Sequence, residues 1–217
     1  MSTADDEKRL AAEVVAKLVE DGMTVGLGTG STVTHLLPAI AARGVSEIRC
    51  VATSVATAEQ ARGLGIPVED FDTLARLDIA IDGADEITPD GWLIKGGGGA
   101  HLREKVVAAA AARFVVIADS SKPVEAFTWP VPLELFGFGA ASTLARLGPE
   151  VELRDVPPSP DGGLIADYRG PIGDPAELAA RLEADPGLAA HGLFPPTLTH
   201  DVFIARGDEV EHRVLQA

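Results

Sequence analysis

Cysteine and cationic side chains are scarce in this 217-residue sequence. The single cysteine, Cys50, excludes an internal disulfide and any metal site built from several cysteines, and its apolar neighbours predict a buried strand thiol. Lys and Arg total 18 against 33 Asp and Glu, which gives a formal net charge of -15. Contacts to nucleic-acid phosphates need clustered cations, so we expect no nucleic-acid partner. A small phosphorylated ligand is still allowed, because it needs only a few local cations or a helix N-terminus.

Long apolar runs are also missing. No stretch approaches the roughly 18–20 apolar residues that span a bilayer, so we expect no membrane partner. The segment that starts at Met1 is acidic at Asp5, Asp6 and Glu7, unlike the basic start of a signal peptide. The hydrophobic share of 46% is enough to bury a sizeable core. Together these features predict a folded, soluble, cytoplasmic protein.

Short apolar runs alternate with helical spacing along the first part of the chain. The pattern predicts strands at 23–27, 48–52, 66–71, 77–81 and 114–117, and a hairpin-like segment at 92–95. It predicts helices at 5–20, 54–64 and 101–113, and one from Ser31 that Pro38 should shorten or kink. This alternation is typical of an α/β fold, a Rossmann-like, mostly parallel sheet with helices on both faces.

The pattern changes after Pro123, where prolines become frequent. Short predicted strands at 151–156 and 164–168 flank predicted helices at 140–147 and 175–184. We interpret residues 130–200 as a smaller α+β domain inserted into a Rossmann-like catalytic domain of residues 1–129 and 201–217. The apolar run at 202–205 should then return to the main sheet.

Loops that follow strands are where open α/β sheets place their ligands. The first such loop, Gly26-Leu-Gly-Thr-Gly-Ser-Thr32, offers hydroxyl groups beside a helix N-terminus and can hold a phosphate. The alternative is a tight turn capped by Ser31. The glycine pattern of a dinucleotide site is broken, since Ser31 or Val33 stands where the third glycine would be.

The second loop, Asp82-Gly-Ala-Asp-Glu86, places three carboxylates within five residues. Their mutual repulsion calls for solvent, a cation or a polyhydroxyl ligand between them. Mg²⁺ and sugar hydroxyl groups both suit such a loop, and an acidic solvated loop is the plain alternative.

The third loop runs from Lys95 through four glycines into a helix that carries Glu104. Four glycines have no packing value, but they allow a ring of backbone N–H groups that can stabilise developing negative charge. His101 and Glu104 could share a metal in principle, but the sequence has no second such pair. Arg103 and Lys105 are expected to be surface or ion-pairing residues, and Lys122 adds a cation at another strand end.

These motifs, in this order and spacing, resemble ribose-5-phosphate isomerase of the A type: Gly28-Thr-Gly-Ser-Thr32, Asp82-Gly-Ala-Asp-Glu86, Lys95-Gly-Gly-Gly, Arg103-Glu104-Lys105 and Ala118-Asp-Ser-Ser-Lys122. The segment His191-Gly-Leu-Phe194 is similar to a family segment in the second domain. The resemblance implies interconversion of D-ribose 5-phosphate and D-ribulose 5-phosphate through an enediolate, in the pentose phosphate pathway. It implies no cofactor and no metal, and a homodimer, with a tetramer as the alternative.

The resemblance also implies the site residues. Glu104 matches the base, Lys95 would stabilise the enediolate oxygens, and Asp82 and Asp85 match residues that handle the sugar hydroxyl groups and assist ring opening. The residues implied in substrate binding are Thr29, Gly30, Ser31, Thr32, Asp82, Gly83, Ala84, Asp85, Lys95, Gly96, Gly97, Gly98, Lys122 and Lys8.

Two other classes stay open at this point. One is a sugar-phosphate sensing module that binds without turnover, which has no need of a base at Glu104. The other is a nucleotide-dependent oxidoreductase, which the broken glycine pattern disfavours.

Overall fold

The structure, a computed structural model, describes residues 3–216. Its helices are α1 (Ala4–Ala16), α2 (Ser31–Ala42), α3 (Val55–Gly63), α4 (His101–Ala110), α5 (Ala140–Leu147) and α6 (Pro175–Glu183). Its strands are β1 (Thr24–Leu27), β2 (Arg49–Ala52), β3 (Ile79–Asp82), β4 (Glu86–Ile87), β5 (Leu93–Ile94), β6 (Phe114–Asp119), β7 (Val131–Leu135), β8 (Val151–Leu153), β9 (Leu164–Tyr168), β10 (Leu188–His191), β11 (Leu193–Phe194), β12 (Asp201–Arg206) and β13 (Glu209–Val214). Met1, Ser2 and Ala217, which the predicted catalytic domain includes, lie outside the described residues.

The main sheet has six strands in the order β13-β12-β6-β3-β1-β2. The pairings between β2, β1, β3, β6 and β12 are parallel, and only β13 runs antiparallel to its neighbour. Alternate residues of one strand belong to separate cores, as expected for a sheet covered on both faces. Val115 and Ile117 pack with α1 and α2, whereas Phe114 and Val116 pack with α4. The predicted α/β fold is confirmed, and the run at 202–205 does return to this sheet as part of β12.

A second, antiparallel sheet has four strands in the order β10-β7-β9-β8 and packs against α6. All four strands fall within the predicted smaller domain of residues 130–200. The boundaries of that domain, and of the catalytic domain around it, stay a prediction.

A third sheet joins the two regions. Its three strands are β11, β5 and β4, and β5 carries the chain directly to Lys95. Leu193 and Phe194 in β11 pair with Ile94 and Leu93 in β5. Pairing with β11 and β4 on its two sides holds β5, and β5 in turn holds the start of the glycine-rich loop at 95–99.

Some predicted elements are wrong in detail. No strand forms at 66–71: a single parallel bridge joins Cys50 to Val68, and Phe71–Thr73 forms one 3-10 turn. Pro67 has no N–H to donate to a longer ladder. The first helix ends at Ala16 rather than residue 20, and α2 continues through Pro38 to Ala42.

No helix among residues 3–216 combines the length and apolar character needed to cross a membrane. Cys50 is a buried free thiol in β2, as predicted. Burial raises the pKa of this thiol to about 12 and keeps it unreactive at neutral pH.

Candidate active site

A cavity of about 100 Å³ opens at the carboxyl ends of the central parallel strands. It is lined by Thr29, Gly30, Ser31, Thr32, Gly83, Ala84, Asp85, Lys95, Gly96, Gly97, Gly98, Glu104 and Lys122. The structure thus brings together loops that lie up to 93 residues apart, from Thr29 to Lys122. Of the residues predicted for the site, only Asp82 and Lys8 do not line this cavity.

Lys95 lies at the centre of the charged groups. Its ammonium nitrogen is 2.9 Å from Asp82 Oδ2 and 3.3 Å from Glu104 Oε2, and it donates to the carbonyl of Gly83. Burial alone would lower the pKa of Lys95, but the charges of Asp82, Glu104 and Asp85 outweigh it and hold the pKa above its ordinary value. Lys95 therefore stays a cation.

Asp82 lies behind Lys95 and outside the cavity. Its Oδ1 accepts from the N–H groups of Thr29 at 3.0 Å and Gly83 at 2.7 Å, while Oδ2 contacts Lys95. A Cβ at Gly28 would lie 2.0 Å from Asp82 Cγ, so only glycine lets the carboxylate fit here. Gly28, whose role the sequence left unassigned, makes room for Asp82. Asp82 therefore holds in place both Lys95 and the loop at 28–32.

The other two carboxylates of this loop diverge. Asp85 lines the cavity and accepts from the Gly97 N–H at 2.8 Å. Glu86, in β4, points elsewhere and accepts from the N–H groups of Thr128 and Trp129. Glu86 thus has a structural task, and the three carboxylates do not share one ligand. Within residues 3–216, no group of three or more His, Cys, Asp or Glu side chains is placed to hold a metal ion.

Glu104 lies in the first turn of α4 and is only 4% exposed. Burial raises its pKa to about 8, and the charge of Asp82 adds to the rise while Lys95 opposes it. A carboxyl with a pKa near neutrality is a far stronger base than an ordinary glutamate and can exchange a proton with carbon. Among the charged side chains of residues 3–216, Lys95 is the one that forms an ion pair with Glu104, at 3.3 Å.

The opposite end of the cavity is the N-terminus of α2. Gly30 precedes the helix, and no side chain caps it, so the expected alternative of a Ser31 cap does not occur. The N–H groups of the first turn and the hydroxyl groups of Ser31 and Thr32 border the cavity, with Lys122 nearby. Such an end attracts a dianion through hydrogen bonds and the helix dipole.

Lys8 lies on α1 and is not among the cavity residues. Its neighbour Glu7 accepts from the N–H of Ser120, two residues before Lys122, so α1 is tied to this end of the site. Its role in binding substrate stays a prediction.

Three side chains behind Lys95 form a group that sequence reasoning missed. The ring of Phe194 has Lys95 Nζ 5.5 Å and Lys105 Nζ 5.0 Å from its centre, and Lys105 Nζ is 3.3 Å from His191 Nδ1. Lys105 is therefore half-buried rather than at the surface, and burial lowers its pKa to about 8. The segment His191-Gly-Leu-Phe194 was the available signal, because it stands out in an otherwise loosely matching region. Arg103, by contrast, forms the predicted ion pair, with Asp161 at 2.7 Å.

Comparison with known proteins agrees with this geometry. The family model for ribose 5-phosphate isomerase A (phosphoriboisomerase A) matches residues 49–209. The ribose-5-phosphate isomerase A of Caulobacter vibrioides is 48% identical over 206 residues, covering 88% of this chain and 91% of its own length.

Two solved structures match all or nearly all of the chain. The crystal structure of ribose 5-phosphate isomerase A from Neisseria gonorrhoeae superposes with a TM-score of 0.93 at 32% identity and covers 100% of both chains. A D-ribose-5-phosphate isomerase in complex with phospho-erythronic acid superposes with a TM-score of 0.91 at 31% identity and covers 98% of this chain and 100% of its own.

Proposed function

The chain belongs to the ribose-5-phosphate isomerase A family, and from this premise we propose that its cavity binds D-ribose 5-phosphate and D-ribulose 5-phosphate and interconverts them. The single observation that carries the proposal is the position of Glu104. A buried carboxyl with a raised pKa lies beside a permanent cation, Lys95, in a cavity whose far end suits a phosphate.

The N-terminus of α2 forms the phosphate end of the cavity. A phosphate dianion would accept hydrogen bonds from the N–H groups that begin α2 and from the hydroxyl groups of Ser31 and Thr32, with Lys122 as the cation. Thr29 has a different task, because its hydroxyl group is 2.7 Å from that of Thr53 and its N–H donates to Asp82. Thr29 connects the phosphate end to the Asp82–Lys95 pair.

The reacting end contains the base. With the open-chain aldose bound, Glu104 removes the proton from C2 and the electrons move toward the C1 carbonyl, which gives an enediolate across C1 and C2. Lys95 and the N–H groups of the glycine loop stabilise the negative oxygen. Glu104 then returns the proton to C1, a proton passes from O2 to O1, and the product is the ketose.

The two aspartates divide the remaining work. Asp85 borders the cavity and is placed to accept from a sugar hydroxyl group and to assist ring opening. Asp82 has both carboxylate oxygens occupied by Lys95 and backbone N–H groups. We therefore assign Asp82 to positioning Lys95, rather than to direct contact with the sugar as the resemblance implies.

A proton-transfer experiment tests this function. Purified protein is incubated with ribose 5-phosphate in D₂O, and the products are followed by NMR. We expect ribulose 5-phosphate to form until equilibrium, with deuterium incorporated at carbon, because the base exchanges its proton with solvent between the two steps. A sensing module would bind ribose 5-phosphate and leave it unchanged, and that result would overturn the proposal.

We further propose that the protein is a homodimer. The support is a group of exposed aromatic side chains in the region of the smaller sheet: Trp129 and Phe136 are about half exposed, and Phe138 is 97% exposed. Exposed apolar side chains of this size mark association surfaces. Sedimentation at several protein concentrations tests this, with a monomer contradicting it and a tetramer as the alternative. Cytoplasmic location stays a prediction.

A further inference from the structure

The glycine loop at 96–99 has to hold its backbone N–H groups still without any side chains of its own. Gly96 has φ +101°, and a Cβ there would lie 2.6 Å from the ring of His101, so the loop rests closely on that ring. Within the loop, the Gly99 N–H donates to the Gly96 carbonyl at 2.9 Å. These contacts hold the peptide group that follows Gly96, but they do not reach the carbonyl of Gly97 in the next peptide group.

Arg154 supplies that contact from the other sheet. It follows β8, and its Nη1 donates to the carbonyl oxygens of Gly96 at 3.3 Å and Gly97 at 2.9 Å. The rest of the guanidinium is held by Asp167 of β9, with Nε to Oδ2 at 3.0 Å and Nη2 to Oδ1 at 2.6 Å. The planar fork lets one side chain make both sets of hydrogen bonds at once.

The geometry of the peptide bond then decides where the N–H groups point. In a trans peptide the C=O and the next N–H point in opposite directions. Arg154 draws the Gly97 carbonyl to its own side, so the Gly98 N–H is directed to the opposite side, and Gly98 borders the cavity. The preceding peptide is held at both ends, by Arg154 on the Gly96 carbonyl and by Asp85 on the Gly97 N–H.

We propose that Arg154 is a positioning residue for the isomerisation: it orients the glycine loop so that the Gly98 N–H donates to the oxygen that becomes negative in the enediolate. This inference rests on the proposed function and adds to it a residue 50 positions from Glu104 in the sequence. It also gives the smaller sheet a part in the chemistry, because Arg154 and Asp167 both belong to that region.

A matched control exists in the same region. Arg146 forms the same kind of forked pair with Asp185, at 2.7 and 2.8 Å, and Asp185 has the same side-chain exposure as Asp167, 8%. Arg146 has no hydrogen bond to the glycine loop among its contacts within residues 3–216. Its removal therefore reports the cost of losing a forked pair without disturbing the loop.

The experiment compares wild type, Arg154→Lys, Arg154→Met and Arg146→Met by kcat and KM for ribose 5-phosphate. Complete loss of one well-placed N–H donor typically lowers kcat about 10²–10³-fold, so a donor that is only less well oriented should lower kcat about ten- to hundredfold. We expect both Arg154 variants to show this fall with KM within about threefold, since the phosphate end is untouched. Arg146→Met should keep kcat within about twofold of wild type.

A binding measurement separates orientation from general damage. Phospho-erythronate carries a carboxylate that imitates the enediolate oxygens, whereas inorganic phosphate tests the phosphate end alone. We expect the Arg154 variants to bind phospho-erythronate about tenfold more weakly, because one lost charge-assisted hydrogen bond has roughly that effect on affinity. Their affinity for inorganic phosphate should not change.

Either of two results would overturn the inference. One is a folded Arg154→Lys protein with kcat within threefold of wild type, which would mean that the charge alone suffices. The other is an equal loss of kcat in Arg146→Met. If Arg154→Met does not fold, Arg154→Lys decides the matter by the same criteria. If wild type does not convert ribose 5-phosphate, the proposed function fails, whatever the variants do.

Discussion

Replacing Glu104 with Gln removes one ionisable group from the cavity and changes almost nothing in shape. The amide cannot accept a proton from carbon, and loss of a general base typically lowers a rate about 10²–10⁴-fold. We expect kcat to fall at least about a hundredfold, while KM changes little because the phosphate end lies across the cavity.

The pH dependence of kcat/KM gives a second, independent test of Glu104 as the base. With a pKa of about 8, about one-tenth of the wild-type molecules have Glu104 ionised at pH 7 and about nine-tenths at pH 9. The kcat/KM of wild type should therefore rise about tenfold between these values. Burial is the main cause of this raised pKa; the charges of Asp82 and Asp85 raise it further, and Lys95 lowers it. In Glu104→Gln the residual rate should be flat over the same range.

The same substitution should stabilise the fold in alkaline solution. The pKa of Glu104 in the folded protein lies above the ordinary value of 4.5, so the folded state binds the proton more tightly than the unfolded state does. Stability from this group is then complete below about pH 4.5 and is lost as pH rises through about 8. Glutamine never ionises, so the Tm of Glu104→Gln should exceed that of wild type at pH 9.

A coupled assay of ketose formation from pH 6 to 9.5, together with thermal melts, checks these values. The matched control is Glu134→Gln, because Glu134 is also buried and burial also raises its pKa, but it bonds to Ser159 and is not among the residues that line the cavity. That control should keep wild-type activity and the wild-type pH profile. A folded Glu104→Gln protein with kcat within about threefold of wild type would refute the assignment of the base.

Three further outcomes are expected. Thr32→Val should raise KM about tenfold or more with little change in kcat, since a hydrogen bond to a charged group contributes roughly 1.5–3 kcal/mol; an unchanged KM in steady-state kinetics would place the phosphate elsewhere. Lys105→Met should leave the alkaline rise in kcat/KM intact, because Lys105 lies behind Phe194 although its pKa is also about 8; loss of the rise would assign it to Lys105. Dialysis against EDTA should not lower activity, and a loss restored by Mg²⁺ or Mn²⁺ would contradict the enediolate mechanism without metal.

Local patterns predicted the parts of the fold that local physics determines. The run predicted as a strand at 23–27 is β1 at Thr24–Leu27, and the one at 114–117 lies within β6. The run at 114–117 is fully apolar, and the run at 23–27 has Thr24 as its one hydroxyl-bearing residue; a sheet covered on two faces buries such runs. The failed strand at 66–71 contains Pro67, whose effect on a ladder depends on which neighbour the strand meets.

The site was predictable where its residues sit in contiguous loops and unpredictable where they meet across the fold. Glycines and carboxylates at strand ends indicated the cavity, because backbone approach and charge clustering need those residue types. Arg154 contacts the glycine loop, and Lys105 contacts Phe194. Each contact joins residues that are far apart in the sequence, so no local sequence pattern could predict it. The sequence also did not reveal that the three carboxylates of residues 82–86 point in different directions, because this depends on the pairing of β4 with β5.

The arrangement of charges in the cavity also decides which way round a substrate enters. One end gathers the carboxyl groups of Asp82, Asp85 and Glu104 around a single ammonium, and the other is a helix N-terminus with Lys122. A sugar phosphate that entered in reverse would bring its dianion against the acidic end and leave the helix N-terminus unmatched. In the proposed site this difference in charge favours one direction of entry over the other. The favoured direction is the one that places the carbonyl end of the sugar beside Glu104, the base of the proposed mechanism.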